Sequence, residues 1–261
     1  MRRTITALLL LLNGVGAAMA QPAPAKQNLP KTATAKQAVA KQAPPQNGNC
    51  VGVVSNLGEK FTVRKIGYTV FGNEENEVPV ESWRIDDLVI AKISGSLGKR
   101  AAVRRIAYQK EAFASLDTPK LFRNYEAEVG EAIRTMTAGT RCARYVVVTR
   151  GYRTVGASNQ AIGGIGILYD GVGPLSRVNL YALFSLRLYN GETFALLKQK
   201  AAPSGESIFL EAIHGPHRLV DKSFWPESPD RAAQDAKLRE AIRELVAQGM
   251  DAALPELQLA E

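Results

Sequence analysis

The residues able to do chemistry in this 261-residue chain are few and widely spaced. Both histidines fall in His214-Gly215-Pro216-His217, and the two cysteines are Cys50 and Cys142. Two imidazoles could offer nitrogens to a metal, but two ligands do not complete a zinc site, and Gly-Pro breaks the helix that a helical ligand pair needs. The segment reads as a loop with incidental histidines. No Gly-x-Ser-x-Gly elbow, Walker loop or dinucleotide fingerprint is present, and neither cysteine sits in a nucleophile context. The acid pairs Asp86-Asp87 and Glu74-Glu75 fit a helix N-terminus and a solvated turn better than general acid–base work. The expectation is therefore a non-enzymatic protein with no catalytic, cofactor-binding or metal-binding residues. A hydrolase with an unrecognised site is the outlying alternative.

The cysteines have another use. Cys50 immediately precedes a strand expected from Val51 to Ser55, and Cys142 lies three residues before one expected from Tyr145 to Thr149. If the two strands run parallel and adjacent, their starts share a sheet edge and the sulfurs can meet. In an oxidising compartment the pair would close a loop of about 93 residues, contributing ~4–5 kcal/mol in the chain-entropy picture. Two separate buried thiols are the alternative.

Residues 155–175 contain six glycines, at 156, 163, 164, 166, 171 and 173, around Ile162, Ile165, Ile167, Leu168 and Tyr169. A long glycine-rich connection exposing apolar residues would suit a binding or insertion element, with Gly163, Gly164, Ile165, Gly166 and Tyr169 as its candidate contacts. An irregular hairpin packed on the sheet is the equal competitor. Trp83, Phe224 and Trp225 could line a groove for a glycan or small molecule, although aromatics of this kind more often fill a core.

The elements that must position these residues begin after a leader. Arg2 and Arg3 precede a short apolar run from Ile5 to Leu12, and Ala18-Met19-Ala20 supplies small residues for cleavage after Ala20. The run is too short for a membrane span, so the expectation is export to the periplasm or beyond, with no transmembrane segment left after cleavage. Residues 21–49 are rich in Ala, Gln, Pro and Lys, without aromatic or acidic residues, and are expected to be a disordered linker. Its lysines, 26, 31, 36 and 41, recur every five residues. They could lie on a cell-wall polymer or simply keep a spacer soluble. The chain has 33 Lys+Arg against 25 Asp+Glu, a net +8. The two leader arginines and four linker lysines take six of those charges, which leaves residues 50–261 nearly neutral. Nucleic acid is accordingly not expected as a partner.

Within residues 50–261, Phe61 to Phe71 reads as β, with a parity switch that suggests a bulge near Lys65-Gly67. Residues 72–77 read as a polar turn and Val78-Pro79-Val80 as an edge return. Ser82 is a candidate cap for a helix carrying Ile85, Leu88, Val89, Ile93 and Leu97 on one face and closing at Gly98. Ala101 to Ala107 is a strand candidate. A second helix is expected to be capped by Asn124, with Tyr125, Val129, Ala132, Ile133 and Met136 inward and Gly139 at its end. The alternation from Val178 to Leu188, followed by Asn190-Gly191, gives a hairpin into Glu192–Lys200. Ser228-Pro229-Asp230 starts a last helix with a stripe of Leu238, Ile242, Leu245, Val246 and Met250. The order yields a single α/β (α+β) domain, a mixed β-sheet packed by amphipathic helices.

That order, with the Ile85–Leu97 helix leading into Arg100–Ile106, the Val-rich strand between Gly139 and Gly151, and Leu186-Arg187-Leu188-Tyr189-Asn190-Gly191-Glu192 before another strand, resembles bacterial envelope modules. These are the N-terminal domain of the Tol-system propeller protein, the curli-secretion lipoprotein and the lipoprotein activator of a penicillin-binding protein. Their last motif usually ends Thr-Gly-Glu after an Asp-containing turn, where this chain has Tyr189-Asn190, and the lipobox is missing. The resemblance covers most of residues 50–200 and implies a module that binds an envelope protein or assembles, with the glycine-rich stretch and the 72–77 turn as its surfaces. If the first helix buries its stripe, each apolar side chain contributes roughly 1.5–3 kcal/mol. Val89→Asp is then expected to abolish cooperative unfolding in a urea titration, while a fully stable variant would remove this helix from the core.

Overall fold

The computed structural model describes residues 48–67, 69–110, 112–113, 124–155, 160–171, 173–202 and 215–259. The expected leader, nearly all of the linker and His214 lie outside the described residues. The strands are β1 (Gly48–Ser55), β2 (Lys60–Ile66), β3 (Glu74–Pro79), β4 (Ala102–Arg105), β5 (Cys142–Arg150), β6 (Tyr152–Thr154), β7 (Ala161–Asp170), β8 (Arg177–Asn190), β9 (Leu196–Ala201) and β10 (His217–Val220). They form one mixed sheet in the order β3-β2-β7-β8-β5-β1-β4, with β6 added to β7 and β9 and β10 to β8. β8 joins its halves. Residues Arg177–Leu183 pair antiparallel with β7, and Phe184–Asn190 pair antiparallel with β5.

The alternation along each strand sorts side chains onto two faces. On one face Val51, Val53, Phe61, Val63, Val146, Val148, Ile165, Ile167 and the even-numbered residues of β8 from Val178 to Leu188 form the main core. It is closed by helix α1 (Ile85–Leu97) through Val89, Ile93 and Leu97, and by the long helix α3 (Ala236–Leu257) through Leu238, Ile242, Leu245, Val246 and Met250. On the other face helix α2 (Tyr125–Met136) buries Val129 and Ile133 against Val54, Tyr145, Val147 and Tyr189. The described residues thus make one mixed α/β domain, as composition and pattern imply. No described helix is long and apolar enough to cross a membrane.

Several local expectations fail for identifiable reasons. The glycine-rich stretch contains a ten-residue strand, β7, paired parallel with β2 and antiparallel with β8, so Gly163, Gly164, Ile165, Gly166 and Tyr169 are not an exposed loop. The competing hairpin describes the residues better. At Gly164, φ is +68°, β7 leaves β8 and turns to pair with β6. Val155 and Ile162 of that hairpin then join Leu168, Tyr181 and Leu183 in a small cluster of their own. A Cβ on Gly166 would collide with the Tyr181 hydroxyl, so the glycine makes room for a buried tyrosine beneath the hairpin.

The parity switch after Val63 needs no bulge: the ladder of β2 with β3 runs without a register shift, and Ile66, the last residue of the strand, packs on the small cluster of the opposite face from Phe61 and Val63. The polar turn is shorter than expected, because Glu74–Pro79 is an edge strand. Ser82 does not cap α1; Arg84 holds that position in a left-handed conformation, with no side-chain cap. Asn124 does cap α2, its side-chain Oδ1 accepting from the Ala127 N–H, but the helix ends at Thr137 before Gly139. The Asn190-Gly191 turn spans more than two residues, since β9 begins only at Leu196. Pro229 opens a separate single turn, and the long helix is capped by Asp235.

β1 and β5 are parallel neighbours, and a register shift between Gly48 and Val51 sets Cys50 beside Cys142, where the two are joined as a disulfide. The bridge spans a sequence separation of 92 and both residues are buried. Replacing both cysteines with alanine is expected to lower the unfolding free energy by about 4 kcal/mol in the loop-entropy limit, read by urea unfolding. Identical midpoints for the variant and the wild type would contradict a stabilising bridge.

Candidate interaction surface

β2 and β7 run parallel, and their last paired residues are Ile66 and Asp170. The chain therefore leaves the two strands side by side, toward the turns that hold Phe71 and Leu175. Each turn carries a large apolar side chain into solvent: Phe71 is 96% exposed and Leu175 85%. Isolated surface hydrophobics are ordinary, but these two follow the ends of neighbouring strands at one end of the sheet. β10 adds the half-exposed Leu219, two residues along from the β8 start at the same end of the sheet.

Both turns are tied down. In the first, the Gly67 N–H donates to Asn73 Oδ1 at 3.0 Å and the Gly72 N–H to the Thr69 carbonyl at 3.0 Å. In the second, the Tyr169 hydroxyl donates to Ser176 Oγ at 2.7 Å, and that hydroxyl donates to the Gly173 carbonyl at 2.7 Å. Lys222 Nζ donates to the same carbonyl at 3.2 Å. Tyr169 itself rests edge-on against Trp225, 5.3 Å between ring centres. Of the five candidate contacts, then, Tyr169 supports this surface as a brace, while Gly163, Gly164, Ile165 and Gly166 lie in the buried part of β7. Phe71 and Leu175 were hidden in the sequence at the borders of the segments that hold them. The available signals were their turn neighbours, Gly72-Asn73 after the one and Gly173-Pro174 before the other.

The ionisable clusters lie elsewhere and work as struts. Asp86, at the start of α1, accepts hydrogen bonds from Ser55 Oγ at the end of β1 and from the Gly58 N–H at 3.2 Å. Burial pushes its carboxyl above the ordinary aspartate value, outweighing those bonds. The Tyr108 hydroxyl lies 2.9 Å from the Ser55 carbonyl and 2.7 Å from Glu59, two acceptors that share its single proton. A shallow hollow of about 220 Å³ beside them is lined by Ile90, Arg105 and Ile106 among others. With Ser55 itself buried, this group latches α1 to β1. A larger hollow of about 550 Å³ between α1 and α3 holds the Arg84–Asp87 and Arg239–Glu240 pairs.

Beneath the β6–β7 hairpin, Arg150 pairs with Glu77 at 2.7 Å and Arg64 with Glu75, while Gln160 of the hairpin accepts from Arg64 at 2.6 Å. Burial opposes ionisation of Glu77, yet the hydrogen bonds and charges of Lys60 and Arg150 outweigh it and hold the carboxyl below its usual value. His217 lies in β10 with Nδ1 2.8 Å from the Gly215 carbonyl, and no group of three potential metal ligands occurs among the described residues. Trp83 is core, tilted on Phe61.

No family model and no curated protein matches the chain. Among solved structures, it is similar to a Xanthomonas campestris protein of the DUF330 family, at 14% identity over 83% of this chain and 90% of that one, with a TM-score of 0.37. It is also similar to dodecameric PelC from Paraburkholderia phytofirmans, at 12% identity over 79% and 89%, TM-score 0.30. A third is a homolog of the neuraminyllactose-binding hemagglutinin from Helicobacter pylori, at 10% over 83% and 86%, TM-score 0.32. At these scores the likeness carries no functional reading.

Asp86 gives the latch a measurable signature. Because its folded-state pKa lies above the unfolded value, the fold binds its proton more tightly. The contribution to stability is greatest below the unfolded pKa and is lost as pH rises through the folded one. Asp86→Asn keeps an acceptor for Ser55 and Gly58 without the charge. The variant is therefore expected to gain stability relative to wild type as pH rises from about 4 to 7 in urea titrations. A difference that stays constant across that range would contradict the burial argument.

Proposed function

We infer that this protein is an exported, non-enzymatic interaction module of the bacterial cell envelope that docks on an envelope protein through the end carrying Phe71 and Leu175. The observation behind the reading is that two almost fully exposed apolar side chains, Phe71 and Leu175, sit on braced turns that follow the paired ends of β2 and β7. Each loses roughly 1.5–3 kcal/mol by facing water rather than a buried environment, and a partner that covers both recovers it. Because the turns are already held by Asn73, Tyr169 and Ser176, little ordering entropy is lost on docking. Export is supported by the leader pattern of residues 1–20 and by the buried Cys50–Cys142 bridge, a kind of bond that persists in oxidising compartments.

The glycine-rich stretch contributes differently from a free loop: removing residues 156–173 would delete a central strand and the fold with it. Point changes at the turns leave the sheet intact. A Phe71→Ser, Leu175→Ser double variant is expected to retain at least about tenfold less of the protein captured by wild type from solubilised envelope, with its melting temperature within about 2 °C. Equal retention by the two proteins overturns the reading.

A further inference from the structure

Among the described residues the main path of the sheet ends in β3 on one side and β4 on the other, and these two end strands carry opposite charge. β3 ends one side with Glu74, Glu75, Asn76 and Glu77 all exposed. β4 ends the other with Arg104 and Arg105 exposed, directly after exposed Lys99 and Arg100. Exposed strand edges are templates for pairing, and charged side chains are the usual protection. Here the protection is one-sided: like charges repel β3 from β3 and β4 from β4, while β3 against β4 is complementary.

Strand directions agree with that pairing. β1, β2, β4, β5 and β7 point one way, and β3 points the other. A second copy placed beside the first by rotation about an axis along the strands thus brings its β4 antiparallel to β3. The faces agree as well. Val78 packs in the main core, so Glu74 and Asn76 share its face, and Glu75 and Glu77 lie on the other, where Arg64 and Arg150 meet them. Val103 leans on the main core and Arg105 meets Asp87 of α1, which leaves Arg104 on the opposite face. Pairing Glu74 with Arg105, Glu75 with Arg104 and Asn76 with Val103 keeps every side chain on its own face, and a one-residue slip would break that match.

The glutamates are positioned for a second cation without being consumed by the first. Lys60, Arg64 and Lys65 of β2 already pair with Glu77, Glu75 and Glu74, yet the Glu74 and Glu75 side chains remain 64% and 49% exposed. A carboxylate can accept from more than one donor.

We propose that copies of this chain associate edge to edge, β3 of one against β4 of the next, in a head-to-tail contact that propagates into a ring or an open chain. This contact begins at Glu74, next to the turn that carries Phe71, and stands whether or not that end binds a partner. A four-residue ladder with solvent-exposed ion pairs is short, so association is weak and sensitive to salt.

Sedimentation velocity of the full chain over a concentration series at 50 mM and 500 mM NaCl provides the test. The weight-average sedimentation coefficient is expected to rise with concentration at low salt and to flatten at high salt. Arg104→Glu and Glu75→Arg, each alone, are expected to weaken association at least about tenfold through like-charge contacts. Mixing the two variants, or combining both changes in one chain, restores it because every interface regains opposite charges. If Glu75→Arg lowers the melting temperature, Glu74→Arg with Arg105→Glu reads the same contact on the other face. A chain that stays monomeric at all concentrations, including one whose edges serve a different protein, overturns the proposal. So does association indifferent to these substitutions.

Discussion

The ladder along β8 is the interaction on which the other parts depend. Its first half satisfies the backbone of β7 and its second half that of β5, and through them it carries β2 and β3 on one side and β1 and β4 on the other. Its even-numbered side chains anchor the core under α1 and α3. Its odd-numbered ones, among them Tyr181, Arg187 and Tyr189, face the smaller clusters beneath the β6–β7 hairpin and α2. Arg187 shows how tightly this is drawn: it donates to Thr149 at 2.8 Å while its guanidinium lies 4.8 Å from the centre of the Tyr125 ring. Those contacts, with the Glu126 carboxylate 3.8 Å away, replace the water that a charge buried so deeply has lost.

From that strand follows a division of labour. The sheet interior and the helix contacts use most of the polar chemistry as structure: Asp86 latches a helix, Glu77 neutralises a buried arginine, and the disulfide joins two parallel strand starts. What the architecture leaves unused lies at its margins, as the apolar turns beyond β2 and β7 and the charged edges β3 and β4. An end that offers hydrophobic contact and edges that offer backbone and charge suit a protein that works by contact with other chains.

The sequence was most legible where one physical signal dominated. The valine-rich strands, the stripe from Leu238 to Met250, the Asn124 cap and the cysteine pairing each rest on a single strong rule, and the structure has them. It was least legible where two rules competed. Glycines 163, 164 and 166 score as loop formers in isolation, but the close approach of Tyr152, Arg150 and Tyr181 is what requires them in a strand. Glu74–Glu77 reads as a solvated turn because edge strands, exposed on one side and paired with cations on the other, do not alternate with the core. Phe71 scores as a strand residue for its ring, although the chain has already left the ladder at Ile66.

The central claim, that the Phe71–Leu175 end is a docking surface, is tested most directly by placing a photo-crosslinking residue at position 71, and separately at 175, in the chain produced in its own cell. The account predicts that both positions yield an adduct with the same envelope protein, while a photo-crosslinker at exposed Glu131 of α2, the helix packed on Tyr145, Val147 and Tyr189, does not. No adduct at either position, or the same adduct from all three, would contradict it.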